Sequence, residues 1–205
     1  MIRPSRRTVL LAIASVPLLG ALAAGGWLWY SAGQRRAMAA YAEALTHGYA
    51  PAAAPEARLA AIRGLEAALG QYPSARGAAQ AAYQLANLRY DAGDYKAARA
   101  AYEIAVAKGP PPTIRALAAV GIGQTWEAER HFPKAVDAYQ AALATLGPRD
   151  FLYEELLVAV GRAQELGGRR DEAIASYRKV LKDVPETRRG DEIRTRLARL
   201  GVSPQ

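Results

Sequence analysis

The sequence predicts an all-α chain: one N-terminal transmembrane helix, then an α-solenoid of three to four helix pairs closed by a C-terminal capping helix. Three observations carry this reading. Alanine fills 47 of the 205 positions, whereas phenylalanine occurs twice. Alanine loses no side-chain entropy in a helix, whereas β-branched residues do, so the composition favours helix and argues against a sandwich or barrel. A run from Thr8 to Tyr30 contains no charge. Downstream, a pattern of small and aromatic residues returns at intervals of 37 and 38 residues, marked by Ala98, Ala135 and Ala173.

The first element is the uncharged run. No acid precedes Glu43, whereas Arg3, Arg6, Arg7, Arg35 and Arg36 flank the run on both sides. At 1.5 Å per residue its helix spans roughly 34 Å, enough for a hydrocarbon core of about 30 Å. Trp27, Trp29 and Tyr30 stand at the far end, where amphipathic rings favour the lipid–water boundary. Two readings compete. In one, residues 8–30 are a permanent anchor in the bilayer. In the other, Ser5-Arg6-Arg7-Thr8-Val9-Leu10 resembles a twin-arginine export signal and Ala21-Leu22-Ala23 a cleavage site. The anchor is favoured because the apolar run continues past that site. Three arginines and the amino terminus on one side, against Arg35 and Arg36 on the other, assign the N-terminus to the cytoplasm. The chain thus divides into a basic cytoplasmic tail (1–7), the membrane helix (8–30), a connecting helix and loop (31–55), a repeat domain (56–185), and a capping helix and tail (186–205).

Three segments of the repeat domain align. The first reads Ala82-x-x-Leu85-Ala86, Gly93-Asp94-Tyr95, Ala98, Tyr102, Ala105, Pro110. The second reads Ala119-x-x-Ile122-Gly123, Arg130-His131-Phe132, Ala135, Tyr139, Ala142. The third reads Leu157-x-x-Val160-Gly161, Gly168-Arg169-Arg170, Ala173, Tyr177, Val180, Pro185. Ala61, Leu65, Ala68 and Pro73 repeat the second half one period earlier, and the missing first half is expected in a helix from about Gln34 to Gly48. Small residues at 86, 123 and 161, and at 98, 135 and 173, allow the two helices of a pair to approach closely. Tyr102, Tyr139 and Tyr177 are expected to fill the space between adjacent pairs. Gly93 and Gly168 suit a left-handed helix end, and Pro73, Pro110 and Pro185 prevent the second helix from continuing. Arg130 takes the turn-glycine position in the second repeat. After Pro185, Ile193, Leu197 and Leu200 share one helical face, which fits a cap over the exposed side of the last pair.

Few residues point to chemistry. There is no cysteine, which excludes disulfides, thiolate metal sites, cysteine nucleophiles and a lipidated N-terminal cysteine. His47 and His131 are the two histidines, and neither has a carboxylate partner implied by spacing. No catalytic, metal or cofactor site is expected, and the chain reads as a non-enzyme. Glu154/Glu155 and Asp171/Glu172 suit helix starts, where the dipole favours acids. The net charge is +8, but Arg169–Arg199 mixes ten bases with six acids, so no clean patch for nucleic acid is expected.

What remains is a groove. The first helix of each pair should line the concave side and present Tyr83, Asn87 and Tyr90, then Leu117, Val120, Gln124 and Glu127, then Val158 and Arg162. Such a surface suits an extended apolar segment of another protein.

The pattern resembles the tetratricopeptide repeat, a pair of antiparallel helices marked by Leu-Gly, a turn glycine with an aromatic, and Ala, aromatic, Ala, Pro. The resemblance covers about Ala57 to Pro185. The order of basic tail, membrane helix ending Gly26-Trp27-Leu28-Trp29-Tyr30, and three to four pairs looks like the ancillary subunit of the bacterial Sec translocon. That resemblance implies an inner-membrane anchor, periplasmic repeats and delivery of exported chains to periplasmic chaperones. The alternative is an exported, cleaved, soluble periplasmic repeat protein of envelope assembly or cell division.

Overall fold

The computed structural model describes residues 6–46 and 54–202, with side chains described from residue 20 onward. The described residues form nine helices and no strand: α1 (Arg6–Leu45), α2 (Pro55–Gln71), α3 (Ala78–Asp91), α4 (Tyr95–Ala107), α5 (Pro112–Ala128), α6 (Phe132–Leu143), α7 (Tyr153–Leu166), α8 (Arg170–Asp183) and α9 (Gly190–Arg199). Each helix packs on the next, and α3 also touches α5. This is the all-α helical repeat that the 37- and 38-residue spacing predicts.

Local chemistry sets the helix ends. Proline opens α2 and α5, where its missing N–H leaves no bond unmade. Asp94 caps α4, its carboxylate accepting from the Ala97 N–H at 3.2 Å. Glu154 and Glu155 lie in the first turn of α7, and Asp171 and Glu172 in that of α8. The turn inside each of three pairs is the same turn. The N–H groups of Asp94, His131 and Arg169 reach back to the carbonyls of Arg89, Trp126 and Gln164 at 2.8–2.9 Å. That closure needs a left-handed residue, supplied by Gly93 (φ 79°) and Gly168 (φ 76°). In the second repeat Arg130 takes the same conformation at φ 62°. The hydrogen bonds therefore hold the turn even where the glycine is lost.

Packing follows from the small residues. Ala98, Ala135 and Ala173 have no exposed surface, and neither do Tyr139 and Tyr177. A Cβ on Gly123 would fall 2.3 Å from Cε1 of Tyr139, and one on Gly161 would fall 2.7 Å from Cε1 of Tyr177. Each ring thus lies directly on the backbone of its own partner helix. The rings also reach the next element, as the spacing predicts: Tyr139 shares a cluster with Leu156 and Val160 of α7, and Tyr177 with Ile193 of α9. Tyr102 serves the next pair as well, since a Cβ on Gly121 of α5 would meet its Cζ at 2.4 Å.

The first pair is built from α1 and α2. Ala37 and Tyr41 of α1 share one core with Ala61, Leu65 and Ala68 of α2. The Tyr41 hydroxyl donates to the Tyr72 carbonyl at 2.6 Å. At the other end, Ile193 and Leu197 of α9 pack with Val158, Tyr177 and Val180. No helix among the described residues is long and apolar enough to cross a membrane. Residues 8–19 of the uncharged run lie outside those whose side chains are described, as does His47.

The contrast between two glycines tests the packing. Gly123→Ala drives a methyl group into the locked Tyr139 ring and should lower stability by roughly 1–3 kcal/mol. Gly70, exposed near the end of α2, has nothing within 4 Å of an added Cβ. Gly70→Ala should therefore raise stability by up to about 1 kcal/mol. Thermal unfolding of the full chain, followed by circular dichroism, should move in opposite directions for the two variants.

Candidate functional site

The first helices of the pairs carry the groove. Two cavities, of about 390 and 410 Å³, meet at Gln124 of α5 and Arg162 of α7, which line both. One continues over Val120, Tyr139, Phe151 and Glu154 to Arg189. The other continues over Tyr90, Glu127, Arg130 and Phe132 to Leu166. Together they form one trough running across α5 and α7.

Its floor is held by a charged clamp. Glu127 accepts from the Tyr139 hydroxyl at 2.9 Å, from Arg162 Nε at 2.7 Å and from Arg162 Nη2 at 3.1 Å. The two-pronged guanidinium contact joins α7 to α5 with fixed geometry. The same device recurs one repeat later. Glu165 accepts from the Tyr177 hydroxyl at 2.7 Å and from Arg196 of α9 at 3.2 Å. Burial, then the neighbouring carboxylate, pushes both phenols above the usual tyrosine range, so they remain protonated donors. The hydrogen bond to Glu127 pushes Arg162 up in turn.

A second ligature stands behind the groove. Arg99 of α4 is buried, lies 3.4 Å from the centre of the Trp126 ring, and donates to Glu129 at 2.7 Å and Thr125 at 3.2 Å. Lys134 of α6 approaches the same ring at 4.3 Å. One tryptophan therefore binds cations from the helices before and after it.

Of the nine residues expected in the groove, Tyr90, Val120, Gln124, Glu127 and Arg162 line the trough. Tyr83 is half-buried, its ring 5.8 Å from that of Tyr102. Asn87 accepts from the Tyr102 hydroxyl at 2.7 Å. Leu117 packs against the core of the third and fourth pairs. Val158 is a correction: it is 1% exposed, because α9 folds Ile193 and Leu197 into the same cluster and closes that part of the array. The periodic reading also missed residues. Phe151 is 70% exposed and Leu166 is 54% exposed, one lining each half of the trough. Leu166 lies one turn after Arg162 on the same face, so helical spacing could have found it. Phe151 belongs to a loop outside the repeat, where no period points to it. His131 is exposed, its ring 5.6 Å from Trp126.

A different face of α5 carries an apolar recess of about 460 Å³, lined by residues such as Val106, Ala119, Ile122 and Leu146.

Comparison with known proteins bears on the fold. The profile of the tetratricopeptide repeat-like domain matches residues 6–202. No curated protein matches the chain. Among solved structures the chain is similar to a crystal structure of MamA, with a TM-score of 0.54 at 23% identity, over 63% of this chain and 70% of that one. A crystal structure of MamA protein aligns over 84% of this chain and 98% of that one, at 18% identity and a TM-score of 0.46. At 23% identity the likeness to the first is one of fold. The profile spans nearly the whole sequence, including the α1 segment that completes the first pair, and the chain belongs to the tetratricopeptide repeat-like domain family.

Proposed function

We propose that this chain is a protein-interaction scaffold, anchored by residues 8–30 in a bacterial inner membrane with its repeats on the periplasmic side. The trough across α5 and α7 is the binding face for an extended segment of a partner protein. The observation that carries the binding reading is the trough itself. Exposed Phe151 and Leu166 line its two halves, one in each, and Gln124 and Arg162 stand where the halves meet. A chain passing through would bury rings and apolar side chains while finding amide and charged partners along the way. Within this reading, the layout supports a role as an ancillary factor at the Sec translocon, handing on newly exported chains.

One observation favours an anchor over a cleaved signal. Trp27, Leu28, Trp29 and Tyr30 are 66, 56, 82 and 46% exposed. Four consecutive helical residues point in four directions, about 100° apart. A protein partner on one side would cover one stripe, whereas lipid surrounds a helix on all sides. Cleavage after Ala23 would leave all four in water.

Two measurements test this. Carbonate-washed membranes should retain the full-length chain, and recovery of a soluble form starting near Ala24 would establish the exported alternative instead. For the groove, a photoreactive residue at Gln124 should yield adducts in native membranes. Phe151→Ala with Leu166→Ala should weaken partner binding roughly 30-fold or more, the loss expected when apolar anchors worth about 2 kcal/mol are removed. Both side chains are exposed, so helicity should not change. Undiminished adducts would move the partner to the recess between α4, α5 and α6 or to α1.

A further inference from the structure

The two ends of the helix pairs differ in charge. Turns inside the pairs, at residues 92–94 and 129–131, lie at the end away from the Trp27–Tyr30 belt, because α1 runs from the belt into the first pair and α2 returns. Turns between pairs, at 72–77 and 108–111, therefore face the belt. The far turns carry or adjoin Asp91, Asp94, Glu127 and Glu129; Arg89 pairs with Asp94 and Arg99 with Glu129, whereas Lys96 and Arg130 form no ion pair among the described residues. These two near turns have no acid, whereas the later turns between pairs carry Asp150 and Glu186. No acid occurs in 1–42, in 67–90 or in 104–126. The near cations, Arg35, Arg36, Arg76 and Lys108, are all exposed and form no ion pair among the described residues.

Their placement is fixed. The Arg76 N–H donates to Gln34 Oε1 at 2.9 Å, and the Arg76 guanidinium lies 5.9 Å from the centre of the Tyr30 ring. Gly77 sits so close to α1 that an added Cβ would fall 2.6 Å from the Met38 sulfur. Lys108 Nζ donates to the Pro73 carbonyl at 2.6 Å, which ties the second near turn to the first. Arg35 and Arg36 follow Tyr30 by about 8–9 Å of helix rise. A headgroup layer is about 5–8 Å deep on each side of the hydrocarbon. The four cations thus stand at or just beyond headgroup depth, on several sides of α1.

We propose that this end of the first two pairs is a docking surface for anionic phospholipid headgroups, with Arg76 and Lys108 as the contacts the repeat domain itself supplies. This rests on the reading of residues 8–30 as a membrane anchor. The surface holds the repeats against the bilayer, with the first pairs standing along α1 and the far, acid-bearing turns pointing away from it. Charge complementarity names the occupant: unpaired cations on two turns that carry no acid, beside an aromatic belt, match a layer of lipid phosphates.

The absence of native cysteine makes single-site labelling direct. A nitroxide is placed at Ser74→Cys in the near turn, or at Ala92→Cys in a far turn, of the full chain in nanodiscs. The discs contain phosphatidylcholine alone or mixed with phosphatidylglycerol. Access of a water-soluble nickel complex to each label is measured, and quenching of Trp29 by brominated lipid reports insertion independently. With phosphatidylglycerol present, the Ser74 label should lose access while the Ala92 label keeps it. Arg76→Gln and Lys108→Gln should restore access, each lowering the docked-to-undocked ratio about fivefold. Quenched Trp29 with a Ser74 label equally accessible in both lipids would overturn the docking surface and leave the anchor standing. Protection that is the same in both lipids and indifferent to the glutamine variants would also overturn it, by showing contact without charge recognition. An unquenched Trp29 would remove the anchor and this surface together.

Discussion

Everything in the array depends on how closely the two helices of a pair approach. In the second and third repeats that distance is set by a tyrosine ring lying on a glycine backbone, Tyr139 on Gly123 and Tyr177 on Gly161. A ring in that position leaves no room for a Cβ beneath it, and it buries a large apolar area at one point. The hydroxyl at its tip would be expensive to bury without a partner. Glu127 and Glu165, on the facing helix one turn further along, accept from it. The close approach and the carboxylate are therefore two halves of one requirement.

The groove inherits its chemistry from that requirement. A carboxylate placed to receive a buried phenol is itself half-buried and needs a cation. Arg162 and Arg196 supply it from the next helix along the array. The bond that satisfies one pair is thus also the bond that joins it to its neighbour. In the α3/α4 pair the arrangement loosens. Tyr102 donates to the neutral Asn87 instead, and Tyr90 stands where the later repeats have glutamate. The trough accordingly mixes rings and charge along its length: Tyr90 shares its half with Glu127 and Arg130, and Arg162 stands where that half meets the one reaching Arg189.

Repeats are easy to read because the same packing problem recurs at the same interval. Ala98, Ala135 and Ala173 are fully buried, and Gly93 and Gly168 are left-handed, as their spacing implies. Single-occurrence features escape that reading. The clamp of Arg99 and Lys134 on Trp126 appears once, so no period announces it. Arg130 departs from the pattern in identity, yet its backbone keeps the conformation, because hydrogen bonds across the turn outweigh the steric penalty of a Cβ there. For the groove, helical spacing placed Tyr90, Gln124, Glu127 and Arg162 on one surface. It could not know that α9 would cover the position of Val158, since a cap breaks the translational symmetry on which the register rests. Phe151 was out of reach for a related reason: it lies in a loop whose path is set by tertiary packing.

The long α1 links the two halves of this molecule in a way that composition alone does not suggest. Its helix runs from Arg6 to Leu45 without a break, and its last turns are not a spacer but the first helix of the first pair, with Ala37 and Tyr41 in the core. A flexible tether would let the repeats tumble relative to whatever holds the N-terminal end. Here that end and the array share one rod. The turn at 72–77 also braces the rod at Gln34, Met38 and Tyr41. Any tilt of α1 must carry the first pair with it; Glu66 and Arg89 join that pair to the second, and the clamps at Arg99 and Arg162 join the second to the third and the third to the fourth. The orientation of the groove is therefore coupled to the orientation of α1 through this packing.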